Sequence, residues 1–277
     1  MPDQNFILKS FDEQQNIFIS NLTITRNKET KDSIHDLRVA IKKIRSFLRL
    51  RQKIIGQEWE GKFVPVKLLF GILGKHRDFE MSLSLLKKYY RQKEPSISSF
   101  KKYLKVNLSF SRQLAKAAVN DFNEQELINL VNESKKSLSG FSNEELITKI
   151  KNYVEEIARQ VTLLANDFEK EAHEIRKLLK DVYYWLRICP YNPVADLIDI
   201  KILEQVLDNL GAWQDLFVFR KKLKNFRKEY LLKASRQIEI VRMFEEKIIK
   251  DQEEILKQAT DDFKNISGSK KATDQSP

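Results

Sequence analysis

Five side chains concentrate the chemistry of this chain: His35, Arg38, Lys42, Arg45 and Arg49, three or four residues apart within IHDLRVAIKKIRSFLRLR (34–51). On a helix these positions fall on one strip, and at about 1.5 Å of rise per residue successive cations lie roughly 5 Å apart along the axis. No acidic residue interrupts the strip. Arginine grips phosphate oxygens as a planar fork and lysine supplies a mobile point charge, so a ladder of both suits an extended polyanion. Histidine titrates near pH 6.5, and a bound polyanion favours its charged form; affinity is therefore expected to rise between about pH 8 and pH 6.

The helix carrying the strip shows a second pattern. Ile34, Leu37, Ile41, Ile44 and Leu48 form an apolar stripe at the same period, directly beside the cations. A basic row opposite the core would be a plain solvated face. Cations crowded at the edge of a core repel one another instead, and an anion relieves that cost.

The pattern returns. EAHEIRKLLKDVYYWLRI (171–188) carries His173, Arg176, Lys180 and Arg187 at matching positions, with Tyr183 where Arg45 stood and Lys177 beside Arg176. Its apolar stripe is Ile175, Leu179, Val182 and Leu186. A second marker accompanies each copy, LGKHRD with Leu73, Gly74 and Asp78, then LGAWQD with Leu210, Gly211 and Asp215. The offset is 138 residues for the histidines and 137 for the glycines. Two markers at nearly one offset indicate an internal duplication.

HDLRVAIKKIR followed by LGKHRD, then HEIRKLL followed by LGAWQD, resembles the CHAD domain, the conserved histidine α-helical domain. The resemblance runs from about residue 4 to about residue 266. It implies two helical bundles related by a pseudo-two-fold axis, a basic central groove or pore, and binding of inorganic polyphosphate.

Further cations are candidates for the same cavity. Arg77 lies in the first marker, with Gln214 in its place in the second, and Arg91 and Lys228 match at the repeat offset. The run from Arg220 to Lys228 holds six basic residues and no acidic one, too many for one ligand; Arg220, Lys224 and Arg227 share a face and are the choice from it. Residues 31–53 hold eight basic and two acidic residues, whereas 169–187 hold five and four, so the first half is expected to dominate binding. His76 has no counterpart, Trp213 standing at its position, and reads as incidental.

Composition sets the bounds. The chain of 277 residues is 42% hydrophobic and 32% charged, enough for one sizeable core or two smaller ones. A net charge of +11 points to anionic partners: nucleic acid, a membrane surface or a phosphate polymer. Cys189 is the only cysteine, which excludes an intramolecular disulfide and a cysteine-based metal cluster, fits a reducing interior and reads as a buried inert thiol. MPDQNFILKSFDEQQ has neither a basic leader nor a continuous apolar segment, and no stretch approaches the roughly 20 apolar residues of a membrane span. A cytoplasmic location is expected, with association with polyphosphate granules.

Seven glycines, six prolines and no sustained alternation make the chain helical almost throughout. Helices are expected near 4–22, 30–55, 58–74, 78–91, 96–120, 124–138, 143–167, 169–189, 197–211, 215–229 and 230–265. Pro95 suits a first helical turn, Pro190 and Pro193 end a helix, and Ser142 or Asn143 can cap the helix after Gly140. Gly74 and Gly211 read as left-handed helix ends, with Asp78 and Asp215 capping the next helices. The first bundle is placed at 1–140, the second at 141–266, and 267–277 is expected to be disordered.

Enzyme signatures are missing: there is no GxSxG, no glycine-rich phosphate loop and no HExxH. Asp32 and His35 have the spacing of a helical-bundle metal pair, but Lys170 replaces the carboxylate in the second copy. No metal or cofactor is expected. The reading is an all-α protein of two bundles that binds inorganic polyphosphate without catalysis. The alternatives are a nucleic-acid binder and a protein adaptor working through the acidic end of the last helix. A single-strand binder interleaves aromatics with its cations, and the first strip has none, Phe47 pointing elsewhere. Duplex binding through phosphates alone remains an alternative, and the oligomeric state is left open.

Overall fold

The computed structural model describes residues 5–27, 31–57, 63–89, 95–231 and 236–268. These form nine α-helices and no strand: α1 (Phe6–Asn27), α2 (Lys31–Ile55), α3 (Val64–Tyr89), α4 (Pro95–Asp121), α5 (Glu124–Leu138), α6 (Asn143–Leu164), α7 (Phe168–Ile188), α8 (Ile200–Tyr230) and α9 (Arg236–Gly268), with one 3-10 turn at Ala165–Asp167 between α6 and α7. The all-α expectation holds. No described helix is long and apolar enough to cross a membrane.

Several boundaries have the expected cause. Pro95 opens α4, where its missing N–H costs nothing. Ser142 closes a capping box with Glu145 at the start of α6. Asn123 and Asp199 cap α5 and α8 through their side-chain oxygens.

Two boundaries expected from the sequence do not exist. The LG-to-Asp segments lie inside the uninterrupted helices α3 and α8, and of the described residues only Gly56 has a positive φ. Gly74 and Gly211 therefore end nothing, and Asp78 and Asp215 cap nothing. Burial on both sides of each segment outweighs the local stop signal: Leu69, Leu73 and Leu86 are buried on α3, and Leu210, Leu216 and Leu223 on α8. The tail expected to be disordered begins at 267, but α9 runs through Gly268, and residues 269–277 lie outside the described set.

The helices bury two apolar cores. One joins α1, α2, α5, α6 and α7 with the first part of α3, the end of α4, the first part of α8 and the end of α9. The other joins Leu86, Ile97, Phe100, Leu104, Leu216, Phe219, Leu223, Phe226, Val241, Phe244 and Ile248, from the remaining parts of α3, α4, α8 and α9. Each core draws on helices from both sides of Gly140. Both α3 and α8 run from one core to the other, and they touch each other. On α3 the first core ends at Leu73 and on α8 at Leu210; the marker segments thus cross the junction between the cores.

Contacts between α2 and α7 bring the two histidine helices together. Trp185 is buried and its Nε1 donates to the main-chain oxygen of Ser46 at 3.0 Å. Arg49 forks onto both carboxylate oxygens of Asp181 on α7. Phe47 turns the other way, into the core, edge-on to Phe11 of α1.

Candidate anion-binding site

The sequence pattern sets the strips beside their apolar stripes, and the packing of α2 on α7 sets the strips against each other. Lys42 lies close enough to Lys180, Arg38 and Arg176 for all three to oppose its charge, and with burial as the larger cause its ammonium drops to about 7. Lys180 drops to about 8 for the same reasons, with Arg176 and Arg38 as its cationic neighbours. Burial also pulls Arg38, Arg45 and Arg176 below the usual guanidinium value. Arg38 and Lys42 of α2 with Arg176 and Lys180 of α7 form one half-buried cluster, and Arg45 of α2 adjoins it.

Arg38 is held by backbone and ring. Its Nη1 donates to the carbonyl of Phe70 on α3 at 3.0 Å, and the guanidinium lies over the Phe70 ring at 4.6 Å; Arg45 lies over the same ring at 5.0 Å. Gly74 makes this possible, because a Cβ there would stand 2.9 Å from Arg38 Nη1. That close approach accounts for the glycine of the first marker. A Cβ at Gly211 would meet nothing within 4 Å, so the second glycine has no such role.

The carboxylates of the markers face this cluster. Asp78 on α3 faces Lys222, Arg38 and Lys42, and Asp215 on α8 faces Arg176, Arg77 and Lys42 as well as Asp78. Burial raises both carboxyl groups above their usual range, and the cations partly oppose that rise. The strip has no acidic residue of its own, but the fold supplies three partners from elsewhere: Asp78, Asp215 and, for Arg49, Asp181.

The remaining candidates are dispersed. Arg77 pairs with Glu80 at 3.2 Å and still influences His35 and Asp215. His35 is exposed and held below its usual value by burial, Arg77, Lys42 and Arg38, against Asp36. His173 is exposed and its Nδ1 lies 3.1 Å from Gln214 Oε1, so each histidine neighbours the residue before its marker aspartate. Lys177 is exposed and bonded to Glu174 at 2.8 Å, and Arg187 is exposed. Tyr183, at the position of Arg45, donates its hydroxyl to Glu204 at 2.8 Å. Arg91 lies outside the described residues.

On α8 the chosen face is turned elsewhere. Arg220 donates to Gln252 on α9 at 2.9 Å, Arg227 pairs with Glu245 on α9 at 3.2 Å, and Lys224 and Lys228 are exposed. The residue of that run that reaches the cluster is Lys222, which lies over Phe79 at 3.9 Å and faces Asp78. It stands seven residues after Asp215, two turns on, and that spacing could have singled it out. Tyr184 also adjoins Arg176, its phenol pushed up to about 12 mainly by burial.

Two other sequence expectations have structural outcomes. Cys189 is half-buried, its Sγ 3.2 Å from the Trp185 carbonyl and its thiol pushed up to about 12 by burial, which leaves it unreactive. His76, expected to be incidental, is a buried tie between α3 and α4, its Nδ1 3.4 Å from Ser111 Oγ and its Nε2 3.8 Å from Glu80.

Two surface cavities lie away from the strips. One of about 600 Å³ lies between α6 and the segment after α7, bordered by Arg159, Leu163 and Pro193; one of about 390 Å³ lies between α4 and the end of α8, bordered by Tyr103, Phe226 and Tyr230. None of the strip residues lines either.

An all-helical chain in which paired histidine-arginine-lysine helices of one core lie beside marker segments that cross to a second core defines the class. A family model for the CHAD domain matches residues 11–224. The chain belongs to the CHAD domain family. It is similar to the crystal structure of the CHAD domain from the plant Ricinus communis, with a TM-score of 0.71, 14% sequence identity, and 92% of this chain and 90% of that chain covered. At that identity the likeness is one of fold. No curated protein matches the chain.

Proposed function

We propose that the protein binds inorganic polyphosphate at the cluster where α2 meets α7, as a binding module without catalysis of its own. Arg38, Lys42, Arg45, Arg176 and Lys180 are the core of the site, with Arg49, Arg77 and the two histidines extending it. The observation that carries the reading is the gathering of Lys42 and Lys180, from opposite halves of the chain, in one half-buried place where burial and neighbouring cations hold both ammonium groups below their usual range. Lysines are retained in a half-buried, cation-crowded place at a cost to stability, and a bound polyanion removes that cost. Arg176 Nε adds a buried donor without a hydrogen-bond partner, which a phosphate oxygen can satisfy. The CHAD family suggests polyphosphate as that polyanion.

A polymer whose phosphates follow one another without an intervening sugar suits cations gathered in one cluster. No aromatic on the α2 strip offers a base a stacking surface. Calorimetric titration with long-chain polyphosphate, single-stranded DNA and duplex RNA at matched phosphate and salt tests the reading. Tight polyphosphate binding that collapses in the combined Arg38→Glu and Arg45→Glu variant, with weak nucleic-acid binding, is the expected result. Equal affinity for all three polymers, unaffected by the charge reversals, contradicts it.

A further inference from the structure

We infer that Asp78 and Asp215 are resident counter-anions of the cation cluster: they stabilise it in the ligand-free protein, and they set a threshold of anionic charge that an incoming polymer must exceed to bind. The inference rests on the polyanion reading of the cluster and assigns a role to the two marker carboxylates, which that reading leaves unused.

Placement is the first argument. Both aspartates lie in the middle of long helices, at the crossing between two cores, where neither can serve a helix end. They come from equivalent positions of the two markers, on helices that touch, and Asp78 is close enough to oppose the ionisation of Asp215. Two like charges brought together at a half-buried junction are costly unless the surroundings compensate.

The surroundings are cationic on every side. Arg38 of α2 reaches Gly74, one turn before Asp78, and Lys222 of α8 lies over the ring of Phe79, next to Asp78; Lys42 of α2, Arg77 of α3 and Arg176 of α7 complete the set. Lys180 of α7 also feels Asp215, together with Asp208 of α8. Because Arg77 also pairs with Glu80, six cations share four carboxylates, so the cluster is partly neutralised and keeps an excess of positive charge. Asp208, Asp215 and Lys222 recur every seven residues and share one face of α8, with Asp208 and Asp215 acting on Lys180 of α7 and Lys222 lying over Phe79 of α3.

The physical consequence has a definite sign. If the carboxylates only positioned the cations, removing one would disorganise the cluster and weaken binding. If they compete with the ligand for the same cations, removing one leaves more charge for the ligand and strengthens binding. A weak or sparse anion gains little by replacing carboxylates already in place, whereas a dense polyphosphate outcompetes them. The carboxylates then discriminate by charge density.

The test compares the wild-type chain with Asp78→Asn and Asp215→Asn, by calorimetry with long-chain polyphosphate and with single-stranded DNA, and by thermal unfolding without ligand. Each variant is expected to bind polyphosphate roughly tenfold more tightly, to gain affinity for DNA, and to unfold at a lower temperature in low salt, with the loss recovered on adding polyphosphate or salt. Weaker or unchanged polyphosphate binding in both variants overturns the inference. If the wild type binds no polyphosphate, the functional reading fails; the ligand-free unfolding then still decides the counter-anion role, which an unchanged melting temperature refutes. Should the variants not fold, proton uptake at about pH 5 on binding polyphosphate, measured on the His35→Ala with His173→Ala chain so that neither strip histidine contributes, decides between the same alternatives. Uptake on binding supports carboxylates crowded by the incoming anion, and no uptake contradicts them.

Discussion

Trp185 of α7 donates its indole N–H to the main-chain oxygen of Ser46 on α2 at 3.0 Å, and this buried bond pins the two histidine helices together between their cation rows. The strips lie 138 residues apart in sequence, and the packing of α2 on α7 makes a single cluster of them.

The Trp185→Phe variant keeps an aromatic ring in place but removes the indole donor, so the Ser46 oxygen keeps its bond within α2 alone. It is expected to cost about 0.5–1.5 kcal/mol of stability by denaturant unfolding, and to weaken polyphosphate binding although neither residue touches ligand. Loss of stability with unchanged binding would show that the cluster does not depend on this bond.

Lys42 and Lys180 are costly in the free protein. Replacing either by methionine, which keeps the stem and removes the charge, is expected to leave the ligand-free protein equally stable or to stabilise it by about 1–4 kcal/mol. The same change is expected to weaken polyphosphate binding by one to two orders of magnitude, roughly the worth of a charge-assisted hydrogen bond. Unfolding and calorimetry on the two variants check both signs together.

The pH dependence follows from the depressed lysines. Lys42 falls from 10.5 to about 7, so between those values the unfolded chain binds a proton that the folded chain does not. Ligand-free stability from this group is therefore expected to rise as pH increases from about 7 toward 10, and to be lowest below about 7, where both states carry the proton. Binding runs the opposite way. A polyanion restores the charge, the complex takes up protons, and affinity is expected to increase as pH falls from about 9 to about 6, through Lys180 at about 8 and then Lys42 at about 7. His35 adds its charge below its already lowered value. Calorimetry across that range should show most of the slope surviving His35→Ala with His173→Ala, and flattening in the double methionine variant.

The two marker glycines are expected to behave differently. Gly211→Ala meets open space in mid-helix and should stabilise the chain by about 0.5–1 kcal/mol. Gly74→Ala pushes the Arg38 guanidinium off the Phe70 carbonyl, so the helical gain is offset by the lost hydrogen bond and polyphosphate affinity falls. Unfolding and binding measurements on the two alanine variants distinguish them.

The cation strips were legible in the sequence because helical periodicity is local: Arg38, Lys42 and Lys180 need no knowledge of neighbours to be placed on a face. The partners were not legible, because Asp78, Asp181 and Asp215 reach the cations only through the packing of α3, α7 and α8. Glycine followed by aspartate carries a strong local stop signal, and buried leucines on both sides of it decided in favour of continuous helices. Lys222 was hidden in a run dense with basic residues, so charge gave no contrast and only its seven-residue distance from Asp215 marks it.

The most direct test of the central claim is a double-mutant cycle for polyphosphate affinity between Arg38→Ala and Arg176→Ala, one from each strip. A shared site predicts a coupling of about 0.5–3 kcal/mol and one binding isotherm that both changes weaken. Additive losses, or two separable isotherms of which each variant removes one, would contradict a single site built from both halves.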